Sequence, residues 1–153
     1  MSIEQLDLHW ALGDTGWAWL TWTADDDVVE IRTSYLDHGL LSLMRAAVDL
    51  KRGSSATIAQ LSGEPSAHFF LFRTAVEQVS VDVVYVPDLY AADRWTGAEL
   101  RWTGETHVDV VTQAVLSMAQ AVWDEHGAAG YQRLWDGKAF PEEELRVLSG
   151  EHP

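Results

Sequence analysis

The first third of the chain alternates between apolar and polar residues in short runs. The run from Val28 to Tyr35 alternates with a period of two, as in a half-buried strand. One predicted face carries Val29, Ile31, Thr33 and Tyr35, and the other carries Glu30, Arg32 and Ser34. Two similar runs precede it, Asp7 to Leu12 and Trp17 to Thr23. The turns predicted between them are Gly13–Gly16 and Ala24–Asp27. Three consecutive strands joined by short turns predict an antiparallel meander.

A helical period replaces the strand period after the meander. Apolar residues recur every three or four positions between residues 40 and 50. Asp37 is the predicted N-cap, because a short polar side chain can accept hydrogen bonds from the first free N–H groups. Lys51 and Arg52 suit the negative end of the helix dipole, and Gly53 suits the left-handed cap position.

A second group of strands is predicted in the middle of the chain. Three runs have strand-like composition: Ser55–Leu61, His68–Thr74 and Val79–Val86. A weaker fourth run, Ala98–Thr103, places Leu100 and Trp102 on one face. These strands are again separated by short turn segments, which favours antiparallel pairing.

The last third of the chain is predicted to be helical. Thr106 and Asp109 resemble a capping box with Asp in place of Glu, and a long apolar stripe follows until Gly127 ends the helix. Tyr131 to Trp135 predicts a short further helix. Pro141 to Glu144 predicts another helix start, with acidic residues at the positive end. We expect the last few residues to be frayed.

This order of elements predicts an α+β fold in one domain spanning residues 1–153. We expect a mostly antiparallel sheet of about six strands. Two main helices should pack on one face of that sheet, and a short helical tail should complete the chain.

Two of the predicted strands are apolar on both faces. Trp17 and Trp19 oppose Leu20 and Trp22, and the run Phe69–Phe72 is apolar throughout. An antiparallel sheet with one face in water should alternate more cleanly. We therefore expect part of the second face to be covered by the tail, by another subunit, or around a ligand cleft.

The second strand runs directly into the acidic triplet Asp25, Asp26 and Asp27 in the stretch WAWLTWTADDD. Short acidic side chains bond their own backbone in turns, which favours a hairpin turn. A cation site is the alternative interpretation. It is disfavoured because the run lacks the spaced oxygen ligands and the glycine of a calcium loop.

Composition narrows the possible classes of protein. The chain has 24 acidic against 10 basic residues, a formal net charge of −14, and no cysteine. The charge opposes binding to nucleic acid and to anionic membranes, whereas it favours solubility and steering toward a basic partner. Disulfides, thiolate metal sites and cysteine nucleophiles are excluded. No signal peptide or membrane span is predicted, so we expect a cytoplasmic protein.

No motif in the sequence carries recognisable chemistry. The six histidines include no pair at metal-binding helical spacing, and no phosphate loop or nucleophile elbow occurs. We predict no metal, no cofactor and no catalytic residue.

The best candidate for a binding site is the irregular segment from Tyr85 to Trp95. It gathers acidic, aromatic and basic side chains, namely Asp88, Tyr90, Asp93, Arg94 and Trp95. Aromatic residues and arginine are the types that dominate protein interfaces. An ordinary loop with aromatic anchors is the alternative interpretation.

In size, acidity, tryptophan richness and element order, the chain loosely resembles the small immunity proteins of bacterial toxin systems. The resemblance implies a non-enzymatic protein that covers the active site of a basic toxin, for example a nuclease. The acidic triplet and the segment from Asp88 to Trp95 are then the expected contacts, with the charge steering association.

Two other interpretations remain open at this point. A small-molecule binding protein or unrecognised enzyme would use a cleft on the aromatic second face, lined by Trp22, Phe69 or Phe70. A homodimer would bury the same face and is compatible with either function.

Overall fold

A computed structural model describes residues 2–13 and 16–150. It shows an α+β fold with seven strands in two antiparallel sheets and three helices. The strands are β1 (Leu6–Leu12), β2 (Trp17–Ala24), β3 (Asp27–Ser34), β4 (Ala56–Ser62), β5 (Ala67–Ala75), β6 (Gln78–Val86) and β7 (Glu99–His107). The helices are α1 (Gly39–Lys51), α2 (Val108–Leu134) and α3 (Glu142–Leu148).

The first sheet is the predicted meander, in the order β1-β2-β3. Ala24 pairs with Asp27, so Asp25 and Asp26 form a two-residue hairpin turn, as the sequence predicts. Asp25 has a φ of 50°, a conformation that aspartate tolerates better than most residues. The other predicted turn includes Asp14 and Thr15, which lie outside the described residues.

The second sheet has the order β4-β5-β6-β7 and is a second meander. The expectation of one sheet of about six strands is therefore wrong in its details. The weak run predicted from Ala98 to Thr103 is a full strand that continues to His107. It contains Gly104, whose lack of a side chain makes room for the Trp102 ring, because a Cβ there would lie 2.6 Å from Trp102 Cη2.

Helix α1 joins the two sheets, and its N-terminus differs from the prediction. His38, not Asp37, is the N-cap residue, and its side chain makes no capping hydrogen bond. The Asp37 carboxylate is directed toward β4, where it accepts a hydrogen bond from Ser62 Oγ at 2.6 Å. Gly53, just beyond the helix, has the predicted left-handed conformation with φ 89°.

Helix α2 is interrupted where the sequence places a stop. Gly127 has φ 65° and ψ −179°, a conformation open essentially to glycine alone. The predicted capping box is wrong, because Thr106 belongs to β7 and donates its hydroxyl to the Ile3 carbonyl. His107 caps the helix through Nδ1, which accepts the N–H of Asp109 at 3.1 Å. Residues 151–153, expected to fray, lie outside the described residues.

The main hydrophobic core is a single cluster that contains residues from all seven strands and all three helices. Trp22 of β2 bridges the sheets, with ring centroids 5.1 Å from Phe70 and 5.6 Å from Trp102. Helix α1 packs on β4 and helix α2 on β1, so the helices do not share one face of a single sheet as expected. Each sheet therefore has one face on this core and one outward face. The candidate site lies on the outward face of the four-stranded sheet.

Candidate functional site

The segment between β6 and β7, residues 87–98, folds back over the outward face of the four-stranded sheet. The Trp95 ring packs on Phe69 of β5 with centroids 5.1 Å apart. The N–H of Leu89 donates to the Pro65 carbonyl at 2.8 Å, which fixes the start of the segment. Phe69 is only 2% exposed as a result, and it forms a small second cluster with Ala67 and Val86.

The sequence indicated that part of the apolar second face is covered, and for β5 this segment is the cover. In β5 it is the loop, rather than the helical tail, that covers Phe69. The predicted aromatic cleft does not form, because Trp22 and Phe70 are 0% exposed in the main core.

The two aspartates of the segment shape its backbone. Asp88 Oδ1 accepts the N–H of Tyr90 at 2.9 Å, and Asp93 Oδ1 accepts the N–H of Trp95 at 3.0 Å. Both are turns in which an aspartate bonds the backbone two residues ahead. These contacts present Tyr90 and Arg94 to solvent.

Four large apolar side chains remain exposed on this side of the protein. We call them the outer patch, namely Ile58 at 50%, Tyr90 at 68%, Trp95 at 45% and Leu100 at 61% exposure. The strand register connects the patch to the covered cluster, because Phe69 pairs with Val84 and Val84 pairs with Leu100. Ile58 pairs with Leu71 in the adjoining row. The loop thus covers the middle of this face and leaves its margins open.

One ion pair lies beside the outer patch, because Arg73 lies 3.8 Å from Asp82. Glu99 and Arg101 flank Leu100 and face away from the patch, since Glu99 pairs with Tyr85 and the Arg101 guanidinium lies 4.4 Å from the Tyr85 ring. Asp88 and Asp93 bond only backbone N–H groups, which neutralise no charge. The border of the patch is therefore more acidic than basic.

The acidic triplet has a mainly structural role. The Asp25 carboxylate accepts the N–H groups of Glu4 and Gln5, the latter at 2.9 Å. Asp27 Oδ2 accepts the indole N–H of Trp102 at 3.2 Å, which ties β3 to β7. Asp25 and Asp26 are both exposed at the turn, and Asp26 makes no side-chain hydrogen bond with the described residues. The triplet and the loop belong to different sheets, so the structure does not show them as one surface.

A polar cluster that the sequence analysis missed lies where β3 enters α1. Asp37 accepts hydrogen bonds from Ser62 Oγ and, at 3.1 Å, from Gln60 Nε2. His38 Nε2 lies 2.7 Å from the hydroxyl of Tyr131, 93 residues away in the chain. The adjacent positions of Asp37 and His38 were the only sequence signal for this cluster, and their partners are distant in sequence.

Burial perturbs the titration of this cluster. Desolvation raises the pKa of Asp37, although hydrogen bonds from Ser62 and Gln60 oppose the shift. Desolvation, together with the positive charges of Lys138 and Arg45, lowers the pKa of His38 to about 4. Burial also raises the pKa of the Tyr131 phenol. His38 is therefore neutral near pH 7.

Beside His38 lies an open depression of about 480 Å³. Lys138 and Arg45 contribute to its wall, but both are engaged by other groups. Lys138 Nζ donates to the Tyr35 carbonyl, and Arg45 lies 3.9 Å from Glu144. The polar cluster thus joins α1, α2 and β4. This structural role is sufficient to explain why its groups are buried and have shifted pKa values.

The described residues show no other arrangement with evident chemistry. Across residues 2–13 and 16–150, no three His, Asp or Glu side chains are grouped closely enough to hold a metal ion. No helix in the same ranges is long and apolar enough to cross a membrane. Comparison of the chain with protein-family models, curated proteins and solved structures finds no match.

Proposed function

We propose that this protein is a non-enzymatic binding module whose outer patch docks on a basic protein, in the manner of an immunity-type inhibitor of a toxin. The outer patch carries the proposal. Four large apolar side chains, each at least 45% exposed, lie on one sheet face and its covering loop. Exposed large apolar side chains grouped on one side of a soluble protein mark a candidate interaction site.

The composition of the patch supports a protein partner. Tyr90 and Trp95 are aromatic, and Arg94 is exposed in the same loop. Tyrosine, tryptophan and arginine account for most of the binding energy in measured interfaces. Strand pairing holds Ile58 and Leu100 in fixed register, and the contact of Trp95 with Phe69 anchors the loop, so little conformational entropy is lost on binding.

Charge selects the basic partner over a second copy of this chain. Each copy has a formal net charge of −14, so two copies repel one another across any shared interface. A basic protein is attracted by the same field, and its association is accelerated at low salt. Beside the patch, the carboxylates of Asp88 and Asp93 outnumber the one exposed Arg94, and Arg73 is paired with Asp82.

Variants at the margins of the patch provide the test. Tyr90→Ser and Leu100→Ser remove exposed apolar surface and should leave the fold intact, since both side chains are more than 60% exposed. Val28→Ser, on the other sheet and 57% exposed, is the matched control. Each immobilised variant is used to capture proteins from the native lysate at low and high salt.

We expect the wild type and Val28→Ser to capture the same basic protein, and this binding to be weaker at high salt. Both patch variants should fail to capture it. Inhibition of that purified protein's toxic activity then tests the immunity-type role. Capture that is indifferent to the patch variants would refute the outer patch as the binding surface. A dimer in solution that Leu100→Ser dissociates would assign the patch to a second copy instead.

A further inference from the structure

The outward face of the three-stranded sheet carries an arginine between two tryptophans. Trp17 and Trp19 are two residues apart on β2, so their side chains project from the same face. Arg32 of β3 is the direct cross-strand partner of Trp19. Its guanidinium carbon lies 3.8 Å from the ring centroid of Trp17 and 5.8 Å from that of Trp19. We call these three residues the Trp–Arg stack.

The surrounding backbone fixes the stack in place. A Cβ at Gly13 would lie 2.3 Å from Trp19 Cζ3, so the indole rests directly against this glycine. Strand β2 is paired on both sides, with β1 and with β3. The guanidinium stacks at 3.8 Å on the Trp17 ring, and this restriction reduces the entropy lost when it forms paired hydrogen bonds.

Arg32 differs in its electrostatic partners from three other exposed arginines of the protein. Arg45, Arg73 and Arg101 each lie within 4 Å of a carboxylate. No ion pair within residues 2–13 and 16–150 includes Arg32, although it is exposed and neighbours Glu30 on the same strand face. Its guanidinium instead stacks on aromatic rings. This contact uses the flat face of the group and leaves the N–H donors at its edge available to an acceptor.

We infer that the Trp–Arg stack is a docking point for a single aspartate or glutamate side chain of a protein partner. The guanidinium would donate two parallel hydrogen bonds to the carboxylate, while Trp19 at 43% exposure would pack on the adjoining apolar atoms. Polyanions such as nucleic acid are disfavoured by the net charge of −14. This inference concerns a different sheet from the outer patch and does not depend on it.

The probe is N-acetyl-glutamic acid α-amide, which presents one side-chain carboxylate, with N-acetyl-glutamine α-amide as the neutral match. Each is titrated into the full-length protein at constant ionic strength and pH 7. Two-dimensional ¹H–¹⁵N NMR follows the Trp17 and Trp19 indole N–H signals and the Arg32 Nε–H signal. We expect saturable shifts of these signals with the acid and none with the amide.

Arg32→Gln should weaken the response to the acid by about tenfold or more, because hydrogen bonds to charged groups are the strong ones. Arg32→Lys keeps the charge without the planar fork and should give intermediate binding. Arg73→Gln, on the other sheet, is the matched control and should respond like the wild type. Equal responses to acid and amide, or an unchanged response in Arg32→Gln, would overturn the inference.

Discussion

The outward faces of the two sheets differ in how they meet solvent. In the four-stranded sheet, β5 directs Phe69 and Leu71 outward, and residues 87–98 fold over the first of them. In the three-stranded sheet, the outward positions of β1 and β3 are mostly polar, and most of them are exposed among the residues that the structure describes. There the aromatic surface of Trp17 is shielded by Arg32 from the same sheet.

This difference shows two ways of handling apolar side chains on a solvent-facing strand. A buried outward residue such as Phe69 requires a covering element, so its removal should affect the fold. A tryptophan stacked with arginine keeps part of its ring in water, so its removal should affect stability less. The margins of the covered face stay apolar and exposed, which is why the outer patch is the better candidate for a large interface.

The largest expected effect is from Phe69→Ala. It removes the aromatic ring on which the covering loop packs, and we expect a loss of about 3 kcal/mol in the free energy of unfolding. Urea unfolding followed by tryptophan fluorescence measures it. Leu100→Ala on the same face should change stability by less than about 0.5 kcal/mol. Equal effects of the two substitutions would show that the loop does not bury Phe69.

Acid should weaken the four-stranded sheet through His68 of β5. Burial and the nearby charge of Arg101 lower the pKa of His68 to about 4, below its usual 6.5. The folded state therefore favours the neutral ring, and this stability is present above pH 6.5 and lost as the pH falls toward 4. His38 contributes with the same sign.

Asp37 opposes this trend. Its pKa is raised, so the folded protein gains stability as the pH falls through that pKa toward 3.8. We expect the melting temperature to fall between pH 6.5 and 4, and to fall less in His68→Gln. If the melting temperature of His68→Gln fell as much between pH 6.5 and 4 as that of the wild type, His68 would not be the source of the acid sensitivity.

Trp95→Ala should have a moderate effect on the fold. Its ring is half exposed and contributes mainly its contact with Phe69, an aromatic pair worth about 1 kcal/mol. The double variant with Phe69→Ala should cost less than the sum of the two single variants, because they remove the same contact. Additive losses of unfolding free energy would show that the rings are not coupled.

The smallest expected effect is that of Arg32→Ala. An exposed cation–π contact contributes about 0.5–1 kcal/mol, so the unfolding free energy should fall by no more than that. Differential scanning calorimetry against Arg73→Ala, an exposed ion-paired arginine on the other sheet, gives the comparison. A loss several times larger would mean that the three-stranded sheet depends on this stack for its stability.

Much of the secondary structure could be predicted because its signals are local. The alternation in Val28–Tyr35 predicted β3, and the period-two pattern in Val79–Val86 predicted β6. The predicted stop at Gly127 coincides with the break in α2. The starts of α1 and α2 were predicted less well, since Asp37 bonds to β4 and Thr106 bonds to the Ile3 carbonyl rather than to the first turn of a helix.

The candidate sites could be predicted only in part. The sequence singled out the loop from Asp88 to Trp95, because aromatic and charged residues are adjacent there. It gave no sign of the Asp37–His38 cluster or of Arg32 on Trp17, since the partners are on different elements. The division of seven strands into two sheets was missed for the same reason, because local alternation does not specify which strand lies at an edge.

The sequence by itself therefore determined the strands, the turn at Asp25 and Asp26, the glycine break in α2 and the acidic charge. Only the tertiary structure decided that the loop covers Phe69, that His38 meets Tyr131 and that Arg32 lies between two tryptophans. The physical reason is that periodicity shows which face of an element a side chain occupies. What packs on that face depends on how distant segments bury their apolar surface together.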